Sequence, residues 1–103
     1  MRVSLKIAEP IKTANLSDSL ARRIRLALGR FEALIERTHV FLDHEANSGN
    51  RRNCRCRLKI SLRSAQGFFI EIRDPDAESA VRRAIDRAAW LVREHVEERT
   101  RDF

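Results

Sequence analysis

The chain has 103 residues, 43% hydrophobic and 35% charged, enough apolar material for one core and too much charge for a membrane-embedded protein. A second domain is excluded, because another core would need roughly 100 more residues. The net charge of +6 and pI near 10.6 describe a polycation. Such a chain attracts phosphate backbones by Coulomb forces and counterion release, so nucleic acid leads the expected partners.

Val3, Leu5 and Ile7 alternate with Ser4 and Lys6, the period of a strand with one buried face, and Pro10 ends it. The interleaved charges deny this N-terminus the apolar centre of a secretory signal, and no run approaches the ~18 apolar residues of a spanning helix. A cytoplasmic protein with no membrane partner is expected. Ser17 is a predicted N-cap with Asp18 in the first turn. Leu20, Ile24, Ala27, Leu28, Phe31, Leu34 and Ile35 follow at helical spacing, so the helix is predicted to run to about Glu36, weakened slightly by Gly29.

Residues 38 to 45 hold Val40, Phe41 and Leu42 among polar neighbours and are predicted to form a second strand, followed by a turn over residues 46 to 50. From Cys54 to Arg63 the alternation is strict, with Cys54, Cys56, Leu58, Ile60 and Leu62 on one face and Arg55, Arg57, Lys59, Ser61 and Arg63 on the other. Residues 64 to 67 connect a hairpin to a fourth strand with Phe68, Ile70 and Ile72 inward. Asp74, Pro75 and Asp76 then signal a second helix, whose apolar face is Val81, Ala84, Ile85, Ala88, Leu91, Val92 and Val96 and which ends near Arg99.

The order is βαβββα, an α+β fold with a four-stranded mixed sheet, both helices packed on one face and the other face open to water. A single domain spans residues 1 to 103, with an ordered core over about 2 to 99.

Three basic sets follow from these faces. Arg23, Arg30 and Arg37 recur every seven residues along one flank of the first helix. Arg82, Arg83, Arg87 and Arg93 occupy the outer arc of the second. Arg55, Arg57, Lys59 and Arg63 stand on the open sheet face. Acids compete for them: Glu71 and Asp43 across strands from the sheet row, Asp86 and Glu94 near the second helix. The positions three and four residues from Arg30 hold no acid, so the first-helix row is the freer one.

Trp90 falls on the polar side of the second helix beside Arg83, Arg87 and Arg93, either to stack on a base, to enter an interface, to cover a neighbouring loop, or to stack on an arginine. Phe41 and Phe69 pose the same choice on the open sheet, where an apolar patch among charges marks a binding or self-association surface. Cys54 and Cys56, two apart on a strand, are too strained for a disulfide and supply half a zinc site. His44 on the adjacent strand adds at best a weak third ligand, so buried reduced thiols and no metal are expected. His39 and His95 lack a paired nucleophile or carboxylate. With no glycine-rich phosphate loop, triad spacing or catalytic acid pair, the sequence supports neither an enzyme, a small-molecule substrate nor a cofactor.

Across nearly its whole length the chain resembles the ribosome hibernation promoting factors, the family that includes the ribosome-associated translation inhibitors. The likeness is carried by residues 3 to 7, by residues 16 to 20 with 28 to 32, by residues 38 to 45, and by the Ala84-Ile85-Asp86 triplet early in the second helix. It is to the short form, without the extra dimerising domain. The resemblance implies binding to the small ribosomal subunit and its rRNA in the mRNA and tRNA channel, silencing idle ribosomes under stress. It also implies rRNA contacts from basic residues on both helices. Arg30 matches one such position, Ala27 stands where many members have Lys, and Arg82 stands where a tyrosine is common. The leading expectation is a stoichiometric RNA binder that inhibits translation by occupying space. Two others stay open: a module that homodimerises through the open sheet face using Phe41, Phe69 and the charged rows, and a general binder of double-stranded RNA.

Overall fold

The computed structural model describes residues 1–8, 16–46 and 52–101. In chain order they form β1 (Arg2–Ile7), α1 (Leu16–Leu28), a 3-10 turn (Gly29–Phe31), β2 (Ile35–Ala46), β3 (Arg52–Leu62), β4 (Phe68–Asp74) and α2 (Ala77–Arg101). The sheet order is β1-β2-β3-β4. β1 runs parallel to β2, which requires the crossover that α1 supplies; β2, β3 and β4 are antiparallel neighbours. This is the α+β, βαβββα arrangement expected. The predicted strand end at Pro10 lies outside the described residues, as do residues 47 to 50 of the turn predicted over 46 to 50, whose first residue, Ala46, is the last of β2.

Period-2 alternation sorts each strand into two faces. Val40, Leu42, Cys56, Leu58, Ile60 and Ile70 point inward and are buried against Leu20, Ile24 and Leu28 of α1 and Ala80, Val81, Ala84, Ile85, Ala88 and Val92 of α2. Each large aliphatic side chain buried in this layer contributes about 1.5–3 kcal/mol. Thr38 is the buried polar residue of the described core, and its hydroxyl donates to the Met1 sulfur at 3.3 Å. At the start of α2, the Asp76 carboxylate accepts from the Ser79 backbone N–H at 3.0 Å and from its hydroxyl at 2.9 Å, the N-cap predicted for this segment.

The first helix departs from expectation. It starts at Leu16, so Ser17 lies inside it, and it ends at Leu28. Gly29 opens a tighter turn, Glu32 N–H donates to the Gly29 carbonyl, and the chain reaches β2 at Ile35. A register shift between Ile35 and Arg37 leaves Glu36 as an extra residue, so Ile35 and Thr38 both point inward. Arg37 therefore extends from β2 onto the open sheet face, beside Arg2 and Ser61, and not from a helix flank. The row of Arg23, Arg30 and Arg37 does not exist as one surface.

Candidate nucleic-acid interface

The sheet-face cations divide into two groups. Asp43 stands across from Arg55 and accepts from its Nε at 3.1 Å and its Nη2 at 2.8 Å. Arg57 approaches the same carboxylate at 3.5 Å, and Glu45 lies 4.0 Å from Arg55. Arg73 is hydrogen-bonded to Glu45 and lies 3.4 Å from Glu71. The hydrogen bond from Arg55 holds the Asp43 carboxyl below its ordinary value, and the Arg73 hydrogen bond does the same for Glu45. At this end of the face positive charge is neutralised, as the placement of Asp43 and Glu71 foreshadowed. Glu45 and Arg73 complete the network; the alternation Phe69, Glu71, Arg73 along β4 was the signal for the arginine. Lys59 and Arg63 are exposed and have no acid within 4.0 Å among the described residues.

The helical layer keeps more of its charge. Arg30, Arg82, Arg87 and Arg93 are exposed and make no ion pair among the described residues. Arg83 is drawn to Asp74 at 3.3 Å, whereas Asp86 and Glu94, expected to compete for the α2 row, take none of it. Arg23 is half-buried at the edge of the apolar stripe, and Arg22 and Arg25 are the arginines that α1 exposes. A helical wheel places Arg22 opposite Leu20, Ile24 and Leu28 and Arg25 on the flank away from Arg23, a signal that seven-residue spacing alone overlooks.

The aromatic residues resolve in different ways. Arg87 lies 4.9 Å from the Trp90 ring centroid, so the tryptophan takes the arginine-stacked arrangement while staying 43% exposed. Phe41 is half-buried: His39 stacks on it at 4.3 Å, with Arg57 and Lys6 at 5.4 and 6.0 Å from its centroid. Phe69 is open, at 65% exposure. Leu26 on α1 is also exposed, between Arg22, Arg25 and Arg30 in sequence.

Cys54 and Cys56 are free, buried thiols. Burial pushes the Cys56 thiol up to about 12, and Cys54 is raised by the same cause. The Cys54 sulfur lies 3.9 Å from His44 Nδ1. Among the described residues no group of three or more His, Cys, Asp and Glu is arranged to hold a metal ion, and no described helix is long and apolar enough to cross a membrane.

The fold and this site define a βαβββα domain with an arginine-rich helical layer on one side and a divided charged sheet on the other. The chain is similar to the N-terminal domain of Protein Y from Thermus thermophilus, known from a crystal structure, with a TM-score of 0.71 over 92% of this chain and 99% of that one. The identity is 18%, so the likeness shows a shared fold. No family model and no curated protein matches the sequence.

Proposed function

We propose that this protein binds the small ribosomal subunit through arginines of its helical layer and blocks the mRNA and tRNA channel, inhibiting translation in idle cells. The observation that carries the reading is that Arg30, Arg82, Arg87 and Arg93 are exposed and make no ion pair among the described residues, Arg30 and Arg87 lying over the Phe31 and Trp90 rings. Unpaired cations need break no ion pair to meet phosphates, and each phosphate neutralised adds salt-dependent affinity without base reading. The sequence resemblance supports the choice of RNA, and the observed fold has the element order which that resemblance implies. Arg83 joins the contact by exchanging Asp74 for a phosphate. Arg37, on the opposite side of the domain, has no part in this surface. The protein acts stoichiometrically, as a rigid body filling space.

Sedimentation with purified small subunits at rising salt tests the proposal. Co-sedimentation at low salt that is lost progressively as salt rises is expected. Absence of binding at low salt, or binding indifferent to salt, overturns it.

A further inference from the structure

We infer that one half of the open sheet face is a separate site for single-stranded RNA, in which unpaired bases stack on Phe69 and His39 while Lys59, Arg37, Arg2 and Lys6 take the phosphates. The face is polarised by its register. Toward one end stand Asp43, Glu45 and Glu71, engaged with Arg55, Arg57 and Arg73. Toward the other end, Arg2 pairs with Arg37, and the row Ser4, His39, Lys59, Phe69 crosses all four strands. The paired positions of those two rows carry no acid, and although Glu36 at the bulge is exposed next to Arg37, no ion pair forms between them among the described residues, so cations and the open aromatic surface share this end.

The geometry of the second row suits a nucleic acid strand. His39 and Phe69 are two strands apart, about 10 Å at the usual strand spacing, with Lys59 between them. Two splayed bases with a phosphate between them match that sequence of ring, cation and ring. His39 is held in place by its stack on Phe41, with ring planes 14° apart, and Phe69 offers its 65% exposed ring without rearrangement. A protein partner burying the same half-face would have to desolvate Lys59, which has no acid within 4.0 Å among the described residues.

Two recesses flank the row. One, of about 280 Å³, is lined by Lys59, Ser61, Gln66, Gly67 and Phe69 among others, placing hydroxyl and amide groups beside the open ring for a base edge. The other, of about 290 Å³, is lined by Lys6, Phe41, Arg57 and Asp43 among others and belongs to the neutralised end of the face. Arg57 Nε is buried without a hydrogen-bond partner among the described residues, while its Nη2 lies 3.5 Å from Asp43. This site does not depend on the ribosomal reading, because the helical arginines lie on the other side of the sheet.

The test is fluorescence anisotropy with a fluorescein-labelled single-stranded oligoadenylate, compared with the same strand annealed into a duplex. The native protein should bind the single strand more tightly than the duplex at low salt. Phe69→Ala should weaken single-strand binding by about 5- to 160-fold, the worth of one base stack. Lys59→Ala and Arg37→Ala should lower its salt dependence, and Arg82→Ala and Arg93→Ala should matter far less than Phe69→Ala. No binding at low salt, or affinity unchanged in Phe69→Ala, overturns the inference. So does an RNA-free dimer in sedimentation equilibrium that Phe69→Ala dissolves, which would assign this face to a second copy of the chain. If the helical variants still co-sediment normally with small subunits while Phe69→Ala loses oligoadenylate, the ribosomal proposal falls and this one stands.

Discussion

Asp43 holds the Arg55 guanidinium by two hydrogen bonds across the β2 and β3 pairing, so the most basic strand of the protein is not its most available cation source. An arginine already paired with a carboxylate must give up that pair before it meets phosphate; Arg93 has nothing to give up among the described residues. On the proposed function, Arg93→Ala or Arg82→Ala should weaken binding to small subunits and reduce the slope of log affinity against log salt by about 1 each. Arg55→Ala should leave that slope nearly unchanged. A salt titration of subunit binding for the three variants checks this, and an equal loss in Arg55→Ala would contradict it.

The same pair sets an acid dependence. Arg55 hydrogen bonding lowers the folded-state value of Asp43 from its ordinary 3.8, against the opposing effect of burial. A depressed carboxyl stabilises the fold fully above the unfolded value and loses that contribution as pH falls through the folded one. Native protein should therefore exceed Asp43→Asn in stability at neutral pH, and the gap should close in the window below 3.8. Urea midpoints measured stepwise through that window report it; a gap that persists unchanged into strong acid would refute the assignment.

Much of this architecture was legible in the residues. Strict alternation from Cys54 to Leu62 and three- and four-residue spacing from Val81 to Val96 describe elements whose local pattern and tertiary packing agree. The end of α1 was not legible, because Leu34 and Ile35 continue a helical spacing and Ile35 is buried either way. What decides is partnership: Ile35, Thr38 and Val40 pair with Leu62, Ile60 and Leu58, and β-branched side chains suit that pleat. The bulge at Glu36, and with it the direction of Arg37, depends on those distant partners. Ion pairing was half legible: Asp43 and Glu71 stood out as acids near the sheet row, but which arginine each meets is a matter of strand register.

Two glycines should respond oppositely to the same change. A Cβ at Gly67 would lie 1.9 Å from the Ile60 carbonyl oxygen and 3.2 Å from Ser61 Cα, both backbone atoms that cannot swing aside. Gly67→Ala should cost about 1–3 kcal/mol through overpacking. At Gly29 nothing lies within 4 Å of the added carbon, so Gly29→Ala should stabilise by about 0.4–1 kcal/mol by restricting the unfolded chain. Denaturant midpoints that move in the same direction for both variants would be the contrary result.

The two thiols should be inert in the folded protein. Cys56 is fully buried with its thiol pushed up to about 12, and Cys54 is 5% exposed, so the reactive thiolate is scarce at both. Iodoacetamide at mildly alkaline pH should label neither within the time that labels both in denaturant. Rapid labelling of Cys56 in native protein would show that the core opens far more readily than its packing implies.

Trp90 offers a direct view of the helical surface, because it is the only tryptophan and its ring lies under Arg87. The stack is at an exposed site, so Arg87→Ala should cost at most about 0.5–1 kcal/mol of stability while opening the indole to collisional quenchers such as acrylamide. If Arg87 and its neighbours meet rRNA phosphates as proposed, small subunits should shield the indole and shift its emission. Arg87→Ala should bind more weakly yet still show shielding at saturation, since Arg82 and Arg93 supply contacts of their own. Equal quenching of free and subunit-bound protein would place this flank of α2 outside the contact and confine the interface to the side of α2 that carries Arg82 and Arg93.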